Sequence, residues 1–263
     1  MLVEDKSKRR ELVVLYWYPF FCFALSHLFN LNTLAAVIIF YAAPSCYLSL
    51  RIKKHLGKPL LFAALAGVPF IIIIDHIANV NQEWVVPYSL LDFRFFKYVA
   101  FEVILWAVFN VYFVIIFYEY FIENKIKKVH TSRTNYFTVA VLAFFTLFVM
   151  CYFYTPQLFH IPYFYLWWGI ILLLIPTVIR LYFRPDLLLD YLQVAAYFFV
   201  VTFVSEITAL QLGWWYFPET PFIGWISIGE LRFPIEELLF WILCFGMAML
   251  SHYEFFYEEI PPS

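Results

Sequence analysis

Eight stretches of this chain are each long and apolar enough to cross a bilayer, and that constrains its fold more than any other feature. A spanning helix needs roughly 20 mostly apolar residues. Candidates lie at about 13–31, 33–50, 59–79, 95–120, 135–155, 161–181, 187–210 and 234–253. Composition agrees: 64% of residues are hydrophobic and 14% charged, too few charges to cover a water-exposed surface. The expectation is an all-α polytopic membrane protein with about eight transmembrane helices. Seven glycines and no glycine-rich turn argue against a P-loop or dinucleotide-binding domain. The apolar stretch after Lys6-Ser7-Lys8-Arg9-Arg10 has no small-residue cleavage site and reads as the first helix, not a signal peptide.

Basic residues give an orientation, because cytoplasmic loops carry the excess of Lys and Arg. With an inside N-terminus, 14 of the 17 fall on the cytoplasmic side: four in 1–12, four in 51–58 (Arg51, Lys53, Lys54, Lys58), four in 122–134 (Lys125, Lys127, Lys128, Arg133), and Arg180 and Arg184. Arg94, Lys97 and Arg232 fall outside, beside acid-bearing helices. Both termini are therefore expected in the cytoplasm. The tail carries Glu254, Glu258 and Glu259, but acids weigh little in this rule.

Acids inside apolar segments are costly and usually face a bundle interior. The last segment opens Phe233-Pro234-Ile235-Glu236-Glu237-Leu238-Leu239-Phe240-Trp241. An echo lies mid-chain, Tyr98-Val99-Ala100-Phe101-Glu102-Val103-Ile104-Leu105-Trp106, which pairs Glu102 with Glu237 and Trp106 with Trp241. Asp75 and Glu206 each precede a tryptophan, Trp84 and Trp215, by nine residues. The order acid, aromatic loop, acid, tryptophan thus occurs twice. Four spans per copy predict two parallel four-helix repeats, 1–130 and 131–263. At 1.5 Å per residue, Glu102 lies about 12 Å from Arg94 and Glu237 about 8 Å from Arg232 along their helices. Asp75, Glu102, Glu206 and Glu237 are expected to converge in the outer half of the bilayer. Glu236 and Glu237 point about 100° apart, so one faces a substrate while the other bonds a neighbouring element.

A buried carboxyl beside other acids can stay protonated and act as an acid, and an aromatic face stabilises a carbocation. Such a pocket suits protonation of an alkene followed by cation chemistry, with Trp215, Phe233, Phe240, Trp241, Trp106 and Trp84 as walls. Other readings stay open. Trp84, Trp214, Trp215, Tyr216 and Trp225 also fit an interfacial belt. Glu236 also fits a helix N-terminal acid following Pro234. His76, next to Asp75 and near Asn79, fits a proton relay or a hydrogen-bonded helix end. Glu119 and Asp190 read as solvated helix ends. Cys22, Cys46, Cys151 and Cys244 stand singly and read as packing residues. His27, His55, His130, His160 and His252 have no partners at ligand spacing, so no metal is expected.

The segment Pro234-Ile235-Glu236-Glu237-Leu238-Leu239-Phe240-Trp241, preceded by Trp215-Tyr216-Phe217-Pro218 and Gly224, resembles the lycopene cyclase domain, the membrane-embedded family of carotenoid cyclases. Two copies in one chain resemble its fused form. The resemblance implies an isomerising cyclase: protonation of the end of a linear carotene, closure of a β-ionone-type ring and deprotonation, with no redox change and no cofactor. It assigns Glu236 and Glu237 to the acid/base site, with Glu206 as partner by position. It implies the plasma (inner) membrane of a prokaryote, a lipid-soluble carotene, no nucleic acid, and other carotenoid-pathway enzymes as neighbours. The first half departs from the motif, with Val99-Ala100-Phe101-Glu102 where Pro-x-Glu-Glu would stand, so a single site in the second half is one expectation. A hydratase or isomerase acting on polyenes and a small proton-coupled transporter are the alternatives.

Overall fold

The computed structural model describes residues 6–52, 56–122, 132–218 and 221–256. Lys53, Lys54, His55, Lys125, Lys127, Lys128, His130, Glu258, Glu259 and the side chain of Arg133 lie outside the described residues. Eight helices in it are long and apolar enough to cross a membrane: α1 (Lys6–Phe29), α2 (Thr33–Arg51), α3 (Gly57–Val80), α4 (Phe101–Phe121), α5 (Ser132–Tyr154), α6 (Phe164–Phe183), α7 (Leu188–Leu212) and α8 (Glu237–Phe256). The described residues are mostly helical, as expected, and add one short antiparallel hairpin, β1 (Trp225–Ile228) with β2 (Leu231–Pro234). Gly229, at φ +60°, supplies its tight turn. Pro234 is therefore the last strand residue, opposite Trp225, and not the first residue of α8.

The fourth segment begins later than its apolarity suggests. Residues 95–100 form a tight loop in which Phe95 and Val99 exchange both backbone hydrogen bonds, with Phe96 and Lys97 at positive φ. Arg94 holds it by donating to the carbonyls of Tyr98 (2.8 Å) and Val86 (2.9 Å).

Helix α4 is the centre of the bundle, packed by α2, α3, α7 and α8. Lipid tails are as apolar as leucine, so close approach does much of the work of association. A Cβ on Gly67 would sit 2.9 Å from the Val108 backbone, and that absence lets α3 lie flush on α4.

Hydrogen bonds gather four interhelical loops at one end. Trp214 Nε1 donates to Leu31 O (2.9 Å), Asn81 Nδ2 to Phe159 O (2.7 Å), and Val85 and Tyr216 exchange two backbone bonds (3.1 and 3.0 Å). At the opposite end Glu11 bonds Arg51 and Tyr120, and Tyr253 donates to Glu119 (2.6 Å), tying α1, α2, α4 and α8. Glu119 is thus half-buried and bonded rather than freely solvated. Three helices carry wide, π-type turns: Ile38–Ala42, Gly169–Leu174 and Glu237–Cys244.

Candidate functional site

Just beneath the loop end, Glu206 near the end of α7 and Glu237 at the start of α8 face one small cavity. Its other walls are Ile71, Ile74, Trp84, Trp106, Tyr165, Trp215 and Trp241. Glu206 is held by Trp215, whose Nε1 donates to Oε1 at 3.0 Å. Glu237 is held by Tyr165, whose hydroxyl donates to Oε2. The wide turn at the start of α8 still sets Trp241 on the same cavity as Glu237.

The tryptophans form a connected wall. Trp106 lies 6.2 Å from Trp84, 6.3 Å from Trp215 and 6.5 Å from Trp241, and Trp84 lies 6.0 Å from Trp215. Tyr41 stacks edge-on to Trp106 (6.5 Å) and bonds Ser205 at 2.5 Å, bracing the wall from α2. Trp84, Trp215 and Trp241 are thus buried core rather than belt, with Trp106 half-buried against them. Trp214 is also buried, while Trp225 carries Arg232 over its ring at 4.4 Å.

The expected convergence of four acids is corrected to two. Glu102 is buried but serves its own loop, accepting from Leu90 N (2.5 Å) and Ser89 Oγ (2.8 Å). Glu236 accepts from Ile223 N (2.7 Å), so of the adjacent pair it is the one that anchors a loop. Asp75 is fully buried one helical face away and takes Asn79 Nδ2 at 3.2 Å. His76 bonds the Phe96 carbonyl (3.0 Å) inside a cage of Tyr98, Phe148, Tyr152 and Phe159, which is the helix-end reading rather than a relay to the cavity. Phe240 turns to Gly169, where its ring fills the space a Cβ would need. Phe233 is fully buried in the hairpin opposite Ile226, outside the cavity wall.

Two residues of the site were not anticipated. Tyr165 is one. The other is Glu83, 1% exposed, which accepts the backbone N–H groups of Phe164 (2.9 Å) and Tyr165 (2.6 Å). It caps the start of α6 and thereby fixes the residue that holds Glu237. Burial pushes the Glu83 carboxyl up to about 7, against the two N–H bonds, with Glu236 adding to the rise. A folded value above the ordinary 4.5 means that folding favours the protonated form. Its contribution to stability is full below about 4.5 and is lost as pH rises through about 7. The melting temperature in detergent, wild type minus Glu83→Gln, is expected to fall across that window and to be level on either side. Parallel melting curves for the two proteins would remove Glu83 as the titrating group.

Comparison of the chain with protein-family models, with curated proteins and with solved structures finds no match in any of the three.

Proposed function

We propose that this chain is a membrane-embedded carotenoid cyclase that closes a β-ionone-type ring at the end of a linear, lycopene-type carotene without net redox change. The observation that carries the reading is the meeting of Glu206 and Glu237, from different helices, in one cavity walled by four tryptophans and a tyrosine. The Pro-Ile-Glu-Glu resemblance points the same way.

The chemistry assigns distinct roles to the two acids. An indole N–H can only donate, so Trp215 treats Glu206 as an acceptor, the arrangement of a carboxylate. A phenol both donates and accepts, so Tyr165 accommodates either state of Glu237. Glu237 gives its proton to the terminal double bond, leaving a tertiary cation. The next double bond attacks it, a carbon–carbon bond forms and the cation moves onto the ring. Glu206 removes a proton from the adjacent carbon, and a double bond re-forms. The product is an isomer, and once it has left, Glu206 loses its proton to water and Glu237 regains one from water, so no net proton is consumed. The tryptophan faces stabilise the cation and exclude the water that would trap it.

Internal duplication fits the contacts, and like positions meet across the centre: Val85 bonds Tyr216, Trp84 meets Trp215, and Trp106 meets Trp241. Such mutual pairing is what a pseudo-two-fold axis produces. Pro44 and Pro176 each follow a wide turn, and the next residues, Ser45 and Thr177, each donate to the carbonyl four back. The loop bonds favour pairing Glu102 with Glu236 instead of Glu237. Val103 then occupies the place of Glu237, the wide turn of α8 supplies the one extra residue that keeps Trp106 opposite Trp241, and the first repeat has no counterpart of Glu237. The reading is one active site, in a prokaryotic plasma membrane, with both termini in the cytoplasm.

Expression in a host that accumulates lycopene, with pigment analysis, tests the function. A ring-bearing carotene supports it, hydroxylated acyclic product moves the reading to a hydratase, and unchanged lycopene beside folded protein sinks it. Within that assay Trp106→Leu is expected to slow ring formation about 30-fold, because a desolvated cation–π contact contributes about 2 kcal/mol. It should also release hydroxylated product, since the gap admits water.

A further inference from the structure

A second, longer cavity begins where the carboxylate cavity ends. The two share Ile71, Ile74, Trp106 and Trp241. From there a cleft runs toward the end of the bundle that carries the termini, past Gly67, Ala66, Ala107 and Met249, to Phe137 and His252. From Trp241 to His252 along α8 it extends about 15 Å. Among the described residues no acid, lysine or arginine lines it.

Its cross-section is set by small residues. Ala66 and Gly67 on α3 and Ala107 on α4 line it together with Leu172, Leu173 and Met249, and a large side chain at Ala66 would take up its space. Phe70, Trp168 and Leu172 on its rim are half-buried, and Phe70 lies 6.3 Å from Trp168 and 6.1 Å from Phe144. The cleft is therefore open on the side of α5 and α6, toward lipid, while the loops of the other end cover the carboxylates. Its lining is mostly apolar side chains, and His252 is bonded to the Leu172 carbonyl, so an extended hydrocarbon has a wall along its length.

We propose that this cleft is the binding subsite for the unreacted length of the polyene, which lies along α8 while its end reaches Glu237. The proposal rests on the cyclase reading for the reaction, but the subsite itself is defined by binding of a long linear hydrocarbon. An extended isoprenoid chain without polar substituents suits it, and it enters end-first from the bilayer. The distance from the cleft's far end to the carboxylates selects long chains over short ones.

The test places a plug in the cleft away from the carboxylates: Ala66→Phe, and independently Leu172→Trp, whose backbone carbonyl still receives His252. Binding is read first in the inactive Glu237→Gln background, as quenching of tryptophan emission by lycopene in detergent. The plug is expected to weaken lycopene binding at least tenfold. Turnover is read second, as the ratio of rates on lycopene and on an acyclic isoprenoid hydrocarbon of half its length, and that ratio is expected to fall at least tenfold. Unchanged lycopene affinity in a folded plug variant overturns the subsite, even if the wild type makes rings. Weakened binding with no ring formation by the wild type keeps the subsite and rejects the cyclase reading. Should one plug variant fail to fold, the other reads the same quantities.

Discussion

Glu237→Gln is expected to lower ring formation by at least about 10³-fold while the protein still inserts, folds and binds polyene. A positioned general acid contributes about 10²–10⁴-fold, and Glu206, the other acid on the cavity, is assigned to the acceptor role. Glutamine matches the carboxyl in shape and keeps an oxygen for the Tyr165 hydroxyl, so the contact that fixes the side chain survives. What is lost is the proton. Glu236 cannot replace it, since it is committed to Ile223 N and aimed away from the cavity. The same assay in heavy water gives an independent reading. The transferred proton comes from an exchangeable carboxyl and stays on carbon, so wild-type product should gain one deuterium per ring. Wild-type activity from Glu237→Gln, or unlabelled product from the wild type, would remove Glu237 from the proton-donor role.

How much of this was legible in the sequence follows from how local each feature is. Apolar length is a local property, so all eight spans could be read from it. The start of α4 could not, because Phe95, Phe96, Tyr98 and Val99 are apolar enough to continue a helix. They turn instead under the hold of Arg94 and the positive φ of Phe96 and Lys97. The hairpin was hidden by its brevity, although Gly229 between Ile228 and Leu231 was a usable signal. Glu206, Glu237 and the four tryptophans were legible because acid and tryptophan recur in the same order in both halves. That Glu236 and Glu237 divide their tasks followed from the 100° between adjacent helical residues. Tyr165 and Glu83 were not legible. Tyr165 reaches Glu237 across 72 residues and Glu83 reaches α6 across about 80, and neither stands out among its kind. Convergence of all four acids failed because depth along a helix says nothing about which face a side chain takes: Asp75 and Glu102 lie near the right level but point to Asn79 and to the 89–90 loop.

Glu206→Gln is expected to change what is made as well as how fast. The amide oxygen retains the Trp215 N–H bond, so the wall of the cavity stays in place. Glu237 can still protonate the polyene and the ring can still close, but no carboxylate remains to collect the proton. Rate should fall about 10²-fold, at the lower end of what a general base contributes. The ring cation then persists long enough to lose a proton from another carbon or to capture water. The product mixture should therefore hold ring isomers and ring-bearing alcohols, which the wild type does not release. Glu237→Gln, by contrast, should leave only unreacted chain, because it acts before any cation exists. The two variants thus order the steps. If the patterns are exchanged, with Glu206→Gln giving no rings and Glu237→Gln giving diverted ones, then the donor and acceptor roles are reversed and Trp215 is holding the acid. If Glu206→Gln makes the wild-type product at the wild-type rate, the base lies elsewhere on the wall, and Tyr165 is the group that remains within the cavity to serve.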